Sequence, residues 1–289
     1  MHKNMTLLNG KEVSQKIVDT LKSKISVYID SGSRTPRLDI ILVGEDFASK
    51  KYVDMKIKRA EEIGIKAVLH KFESSVSTED IITEIKELNS DKRVDGVMVQ
   101  LPLPKEINTD LVLESIDCSK DVDGLTSINL GKLFKNNPSA IAPATAKGIL
   151  KLLEEYKIQI DGSKVVVIGR SDIVGLPTAA VLQNSNATVT VCHSHTKNLK
   201  DICKQADILV VGIGKAEYID KGYVKEGATV IDVGTNRGRD DKLVGDVKFG
   251  SVKKVAEYIT PVPGGVGPMT ISSLLLNLFE IYEKNVKRY

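Results

Sequence analysis

Several side chains in the first half of this chain are of types that relay protons or orient a group that does. Tyr52 and Lys56 stand four apart in F-A-S-K-K-Y-V-D-M-K. On a helix they share one face, one turn above the other. A lysine beside a tyrosine on such a helix is ordinarily a solvated pair, and Lys50, Lys51 and Lys58 nearby favour that reading. Facing a closed pocket, the ammonium would be desolvated and its pKa lowered, which makes it a usable acid or base. Gln100 ends the run V-D-G-V-M-V-Q just before L-P-L-P. Its amide therefore belongs at the carboxyl end of a strand, where open α/β sheets bind ligands. Asp121 and Asp123 in S-K-D-V-D-G read as a turn or as cation ligands. Counted from Asp117, Val122 falls where a calcium loop needs glycine and Ile128 where it needs glutamate, which excludes calcium.

A second set lies in the other half. Residues 165–177 read V-V-V-I-G-R-S-D-I-V-G-L-P. A short β-branched run, a glycine turn and a helix start with Pro177 in its first turn form a place where backbone N–H groups and the helix dipole meet a phosphate. An ordinary strand-to-helix turn is the alternative, since Ser171 replaces the second glycine of G-x-G-x-x-G and Gly175 comes one residue late. The next strand ends in Cys192-His193-Ser194-His195-Thr196 with no carboxylate for an adenosine ribose. Arg170 in the turn and a hydroxyl at this strand end suit a 2′-phosphate, hence NADP over NAD. Cys192, His193 and His195 have no partner pair elsewhere, so no metal is expected. Gly212, Gly214 and Gly234 close two further strands and permit a flat cofactor to approach. Residues 261–268, P-V-P-G-G-V-G-P, form either a connector or a side-chain-poor surface for a planar ligand.

The elements that must position these groups follow from periodicity. Apolar residues at Val13, Ile17, Val18, Leu21 and Ile25 predict a helix over 12–29. Strands are expected at 38–44, 65–72 and 94–101, with helices over 47–63 and from Thr78 between them. A loop-rich stretch, 117–145, precedes a helix at 146–156. Strands at 165–168, 187–192, 208–212, 228–233 and 258–261 and a helix at 270–289 complete the pattern. Strands alternating with helices imply parallel sheets covered on both faces. The fold class is therefore α/β in two domains: an N-terminal α/β/α parallel-sheet domain and a Rossmann-like domain, with a cleft between them. The boundary falls near residue 145, giving 1–145 and 146–269.

Composition narrows the class of partner. A chain of 289 residues with a net charge of +3 has neither a basic stripe for nucleic acid nor a basic anchor for a membrane. The first eight residues lack the apolar core of a signal peptide, and no apolar run approaches a membrane span. Three cysteines outside metal-type pairs suit a reduced, cytoplasmic setting.

Taken together, Y-V-D-M-K, V-Q-L-P-L-P, K-D-V-D-G, G-R-S-D-I-V-G-L-P and I-T-P-V-P-G-G-V-G-P-M-T resemble the bifunctional methylenetetrahydrofolate dehydrogenase/methenyltetrahydrofolate cyclohydrolase (FolD) family. The resemblance runs nearly end to end in the family's order. It implies NADP-dependent oxidation of 5,10-methylenetetrahydrofolate, and hydrolysis of the methenyl product to 10-formyltetrahydrofolate, in one-carbon metabolism. It implies that Lys56 is catalytic, that Tyr52 stacks on or orients the folate, that Gln100 tunes Lys56 and that Asp123 holds the pterin. Ser49, Val99 and Leu101 would line the folate site. So would Pro263, Gly264, Gly265, Val266, Gly267, Pro268, Met269, Thr270 and Ile271. Thr145, Gly169, Arg170, Ser171, Ile173, Val174, Ser194 and Thr235 fall where the family binds NADP. The 1–145 domain would hold folate, with the helix 270–289 packing back on it, and a homodimer would form through the cofactor domains.

Two departures stand out. Pro143-Ala144-Thr145-Ala146 replaces the family's common P-C-T-P, which removes any role for a thiol there, and Thr235 replaces a frequent isoleucine. A shikimate-dehydrogenase-like enzyme would share the architecture, and a non-catalytic dinucleotide sensor would share the cofactor turn. Neither explains Tyr52, Lys56, Gln100 and the proline–glycine segment together.

Overall fold

The computed structural model of the chain describes residues 5–238 and 242–287. They form two units. One comprises the described residues up to Ser14, Leu133–Asn137 and Pro143–Ser273; the other comprises Gln15–Lys132, Pro138–Ala142 and the chain from Leu274 onward. The first elements are a two-residue strand β1 (Thr6–Leu7) and helix α1 (Gly10–Asp30).

The 15–132 unit is built on β2 (Arg37–Val43), β3 (Lys66–Phe72) and β4 (Gly96–Val99). They pair in parallel in the order β3-β2-β4. Parallel strands need crossovers, supplied by α2 (Phe47–Glu62) and α3 (Thr78–Ser90). Helix α2 starts because Asp46 caps it, accepting from Ser49 N at 2.7 Å. Ser77 caps α3 in the same way through Asp80 N. Helices α4 (Thr109–Glu114) and α5 (Ser127–Phe134) follow. Ile41, Val97 and Val99 from the sheet meet Ile81 and Ile85 of α3 and Val112 of α4 in one apolar core.

In the second unit, α6 (Ala144–Glu155) leads into β5 (Lys164–Ile168), α7 (Gly175–Asn184), β6 (Thr188–Cys192) and α8 (Leu199–Cys203). Strands β7 (Ile208–Val211), β8 (Thr229–Asp232), a hairpin of β9 (Asn236–Arg237) and β10 (Leu243–Val244), helix α9 (Phe249–Val252) and β11 (Tyr258–Ile259) follow. The six-stranded sheet runs β1-β11-β8-β7-β5-β6, with every pair parallel. Because β6 and β7 flank β5 on opposite sides, the strand order reverses beside β5. In doubly wound sheets ligands bind at the carboxyl ends of the strands at that point. Helix α10 (Val266–Val286) closes the chain.

The alternation of strands and helices follows the sequence expectation, and the differences have local causes. The proline–glycine segment was expected to remain a loop through Pro268, with the last helix starting at Thr270; α10 begins at Val266. Pro268 is its third residue, where a missing N–H costs nothing because first-turn N–H groups have no intrahelical acceptor. Val266–Ile271 are therefore helical. The stretch expected to be loop-rich contains α5, whose 8 residues fall short of the window of about 11–18 over which helical periodicity stands out. The chain before Ser14 joins the second unit, because β1 pairs with β11, Thr6 beside Tyr258.

Gly96 matters for the site. A Cβ there would collide with Val122 Cγ1 and lie 2.6 Å from Leu278 Cδ1. Its missing side chain lets the 120–124 segment and α10 close on β4. Gly96→Ala is expected to destabilise the protein by about 1–3 kcal/mol through overpacking, read as a lowered melting temperature. An unchanged melt would show that this packing carries no such constraint.

Candidate functional site

In the 15–132 unit, α2 carries Lys56 inward: the residue is 9% exposed, whereas Tyr52 one turn earlier is 39% exposed. Lys56 Nζ donates to Gln100 Oε1 at 3.0 Å. Gln100 follows β4 directly, its backbone N–H donates to Ile41 O at 2.9 Å, and its Nε2 donates to Leu101 O at 2.6 Å. An ammonium can only donate, so the amide oxygen must face Lys56 and the NH₂ must face the carbonyl. One consistent pattern holds both groups. Leu101 is followed by a cis Pro102.

Asp123 is presented by a segment that is tied at several points. Val97 N donates to Lys120 O at 2.8 Å, and Asp121 forms a parallel bridge with Val97, so the segment lies along β4. The Asp121 carboxylate, 1% exposed, accepts from Gly124 N (2.8 Å), Leu125 N (3.2 Å), Thr126 N (2.8 Å), Thr126 Oγ1 (2.8 Å) and Asn129 Nδ2 (3.0 Å). Lys120 Nζ donates to the carbonyls of Leu88, Asn89 and Asp91 at the end of α3. Asn277 of α10 donates to Val122 O at 2.8 Å and to Ala142 O at 3.0 Å.

Burial and charge then act on the reactive groups. Burial pushes the Lys56 ammonium below its ordinary value, and the nearby Asp123 carboxylate pulls it back up. Burial pushes Asp123 up, the Lys56 charge opposes this, and Asp121 adds to it. Each group is thus moved toward its uncharged form and restrained by the other's charge, so Lys56 gives up its proton more readily than a solvated lysine.

The second unit forms a side-chain-poor floor at its switch point. Gly169 ends β5 with φ +122°, and a Cβ there would collide with the Gly212 carbonyl at the end of β7. A Cβ at Gly175 would collide with the Gly169 carbonyl. Only glycine therefore fits at Gly169 and Gly175, where the backbones of the β5 end, the β7 end and the start of α7 meet. Ser171 Oγ accepts from Val174 N (3.2 Å) and Gly175 N (3.4 Å) at the start of α7. Arg170, Ser171 and Ile173 are exposed, and Ser194 is exposed in the turn after β6, the strand beside β5. That turn is held by His193 N donating to Thr196 Oγ1 and His195 N donating to His193 Nδ1. The floor fits a dinucleotide: close backbone approach at the switch point, a helix N-terminus, and a cation and hydroxyls on adjacent strand ends.

Comparison with known proteins agrees over both units. Residues 8–123 match the family model described as tetrahydrofolate dehydrogenase/cyclohydrolase, catalytic domain, and residues 143–286 match its NAD(P)-binding domain. The chain is 53% identical over 281 residues to a protein of Ligilactobacillus salivarius named bifunctional protein FolD, covering 97% of this chain and 98% of that one. The chain belongs to the tetrahydrofolate dehydrogenase/cyclohydrolase family. Among solved structures, the FolD methylenetetrahydrofolate dehydrogenase/cyclohydrolase of Campylobacter jejuni superposes with a TM-score of 0.95 at 46% identity, covering 97% of this chain and 99% of that one. The Trypanosoma brucei enzyme, solved with NADP cofactor and an inhibitor, has a TM-score of 0.93 at 37% identity, covering 98% of each chain.

Against this family background, the fold brings Lys56, Gln100 and Asp123 together and keeps Ser49 (3% exposed), Tyr52 and Lys56 on one helix. Val99 and Leu101 flank Gln100. Thr145 and Thr270 meet through their hydroxyls at 3.2 Å, and Pro268 O accepts from Ser14 Oγ at 3.0 Å, both within the second unit. Thr235 is exposed after β8. Sequence reasoning read Asp121 as part of a turn but assigned no role to it, to Lys120 or to Asn277, which hold Asp123 in place. The D-x-x-G-x-T spacing of Asp121, Gly124 and Thr126 is an Asx-turn signal for the first of them.

Lowered basicity sets a sign for stability. The folded-state value of Lys56 lies below the unfolded 10.5, so charging Lys56 costs stability fully below the lowered value, and the cost vanishes above 10.5. Lys56→Met is therefore expected to melt no lower than wild type at pH 7, with the difference shrinking as pH rises. A large loss of stability at pH 7 would contradict this.

Proposed function

We propose that this chain oxidises 5,10-methylenetetrahydrofolate to the methenyl compound with NADP, and hydrolyses the methenyl compound to 10-formyltetrahydrofolate. The observation that carries the reading is the buried Lys56 ammonium, hydrogen-bonded to Gln100 and acting on Asp123 through its charge. When bound in the Gly169–Gly212 floor, NADP supplies the acceptor for the hydride. Gly169, Arg170, Ser171, Ile173, Val174, Ser194, Thr145 and Thr235 are the residues assigned to hold it, with Arg170 and Ser194 on the 2′-phosphate.

The protein's own part in hydrolysis is proton movement and positioning. Water adds to the methenyl carbon and Lys56, as the neutral amine, takes the proton released. The ammonium so formed returns that proton to the ring nitrogen as its bond to the carbon breaks. The added hydroxyl loses its own proton to solvent as it becomes the carbonyl, leaving the formyl group on the other nitrogen and one net proton released. One lysine serves both directions because its pKa is lowered toward the working range. Gln100 aims Nζ, Asp123 binds the pterin, and Tyr52 offers its ring as a stacking surface. The 1–145 portion with α10 is read as the folate-binding catalytic domain and 146–269 as the cofactor domain, in a cytoplasmic homodimer joined through the cofactor domains. No described helix is long and apolar enough to cross a membrane.

Mixing the pure protein with methylenetetrahydrofolate and either NADP or NAD tests the reading. Reduced cofactor and transient methenyl absorbance, stronger with NADP, are expected; no turnover with any folate would sink it. Lys56→Met is expected to reduce methenyl hydrolysis by about 10²-fold or more. Hydrolysis at the wild-type rate would remove Lys56 from its role. Arg170→Ala is expected to lower NADP affinity by about tenfold while leaving NAD affinity near wild type, and equal loss of both would place the 2′-phosphate elsewhere.

A further inference from the structure

Two buried aspartates in the second unit take no part in the chemistry above. Asp246 is fully buried. Its Oδ2 accepts from Ile213 N (2.6 Å) and Gly214 N (3.0 Å), and its Oδ1 accepts from Lys215 N (2.8 Å) and Asn236 Nδ2 (2.9 Å). The first three donors are successive backbone groups of the turn leaving β7, one residue beyond the Gly212 carbonyl that abuts Gly169. The fourth, Asn236, opens β9 after the turn leaving β8, one residue beyond Thr235. A single carboxylate thus ties the turn after β7, which flanks β5 at the switch point, to the segment after β8, the next strand outward.

Asp232, at the end of β8, supports Asp246 in turn. It accepts from Gly234 N (3.0 Å), Asp246 N (2.9 Å) and Val247 N (2.9 Å). The two carboxylates also interlock sterically. A side chain at Gly245 would collide with the Asp232 carboxylate, and one at Gly234 with that of Asp246. Burial and the Asp246 charge push Asp232 up to about 6, against three backbone N–H groups that pull it down. Retaining two adjacent buried carboxylates is costly, so a fully satisfied network of this kind specifies one geometry for what it holds.

The geometry points to Asp246 as a positioning residue for cofactor binding: it presets the 213–215 and 234–236 turns against which NADP lies. This rests on the reading that the second unit binds NADP. Replacing either carboxylate oxygen by an amide NH₂ would set donor against donor, so Asp246→Asn should loosen one turn or the other.

The test compares wild type, Asp246→Asn and Asn236→Ala, with NADP binding measured by calorimetry, melting temperature without ligand, and KM and kcat for NADP. Asp246→Asn is expected to raise the NADP dissociation constant and KM about tenfold, with kcat at saturating NADP within about threefold of wild type. Asn236→Ala, which removes one of the four donors, should raise both constants about threefold without lowering the melt. If Asp246→Asn melts like wild type and binds NADP within about twofold of it, the assignment is wrong. If Asp246→Asn unfolds, Asn236→Ala decides: a raised KM supports the assignment and an unchanged one overturns it. Absence of NADP binding by wild type would instead overturn the functional reading, and this inference with it.

Discussion

The burial of one ammonium group organises the catalytic half of this protein. A lysine side chain taken out of water loses several kcal/mol of hydration unless it finds partners or gives up its proton. Lys56 has a partial answer to each. Gln100 accepts one hydrogen bond, Asp123 supplies an opposing charge, and the remaining cost lowers its basicity. In the proposed mechanism structural demand and chemical use coincide, since the same desolvation that burdens the fold would make the amine able to take and return a proton.

That arrangement holds only because its partners are fixed by other means. Gln100 cannot swing away, since its backbone is tied to Ile41 and its amide to Leu101. Asp123 itself is held by neighbours that do no chemistry: Asp121 gathers the donors of residues 124–129, and Lys120 caps the end of α3. Substituting such residues would change reactivity without touching substrate. They are easily mistaken for ordinary turn chemistry.

The cofactor half follows a parallel logic with backbone in place of side chains. Its floor depends on Gly169 and Gly175, where no Cβ fits against the neighbouring backbone, and the turns beside it are held from beneath by Asp246 and Asp232. Here too the groups that would touch the ligand are unremarkable in themselves, and the buried carboxylates behind them carry the order.

Much of this was readable from local pattern. The strand-and-helix alternation, the helix start at Thr78, the glycine turn after β5 and the shared face of Tyr52 and Lys56 are consequences of residue types a few positions apart, and local spacing encodes them. The onset of α10 at Val266 was not readable, because a proline-and-glycine run looks like a loop until its first-turn position is known. Strand β1 has two residues and exists only because β11 lies beside it. Whether Lys56 was a solvated surface lysine or a buried one was likewise left open by its neighbours Lys50, Lys51 and Lys58. Burial is a property of what packs around a residue, and the partners that decide it, Gln100 and Asp123, arrive from segments far along the chain. Local chemistry determines which residues are able to act; only the long-range packing that desolvates them and holds their partners determines which ones do.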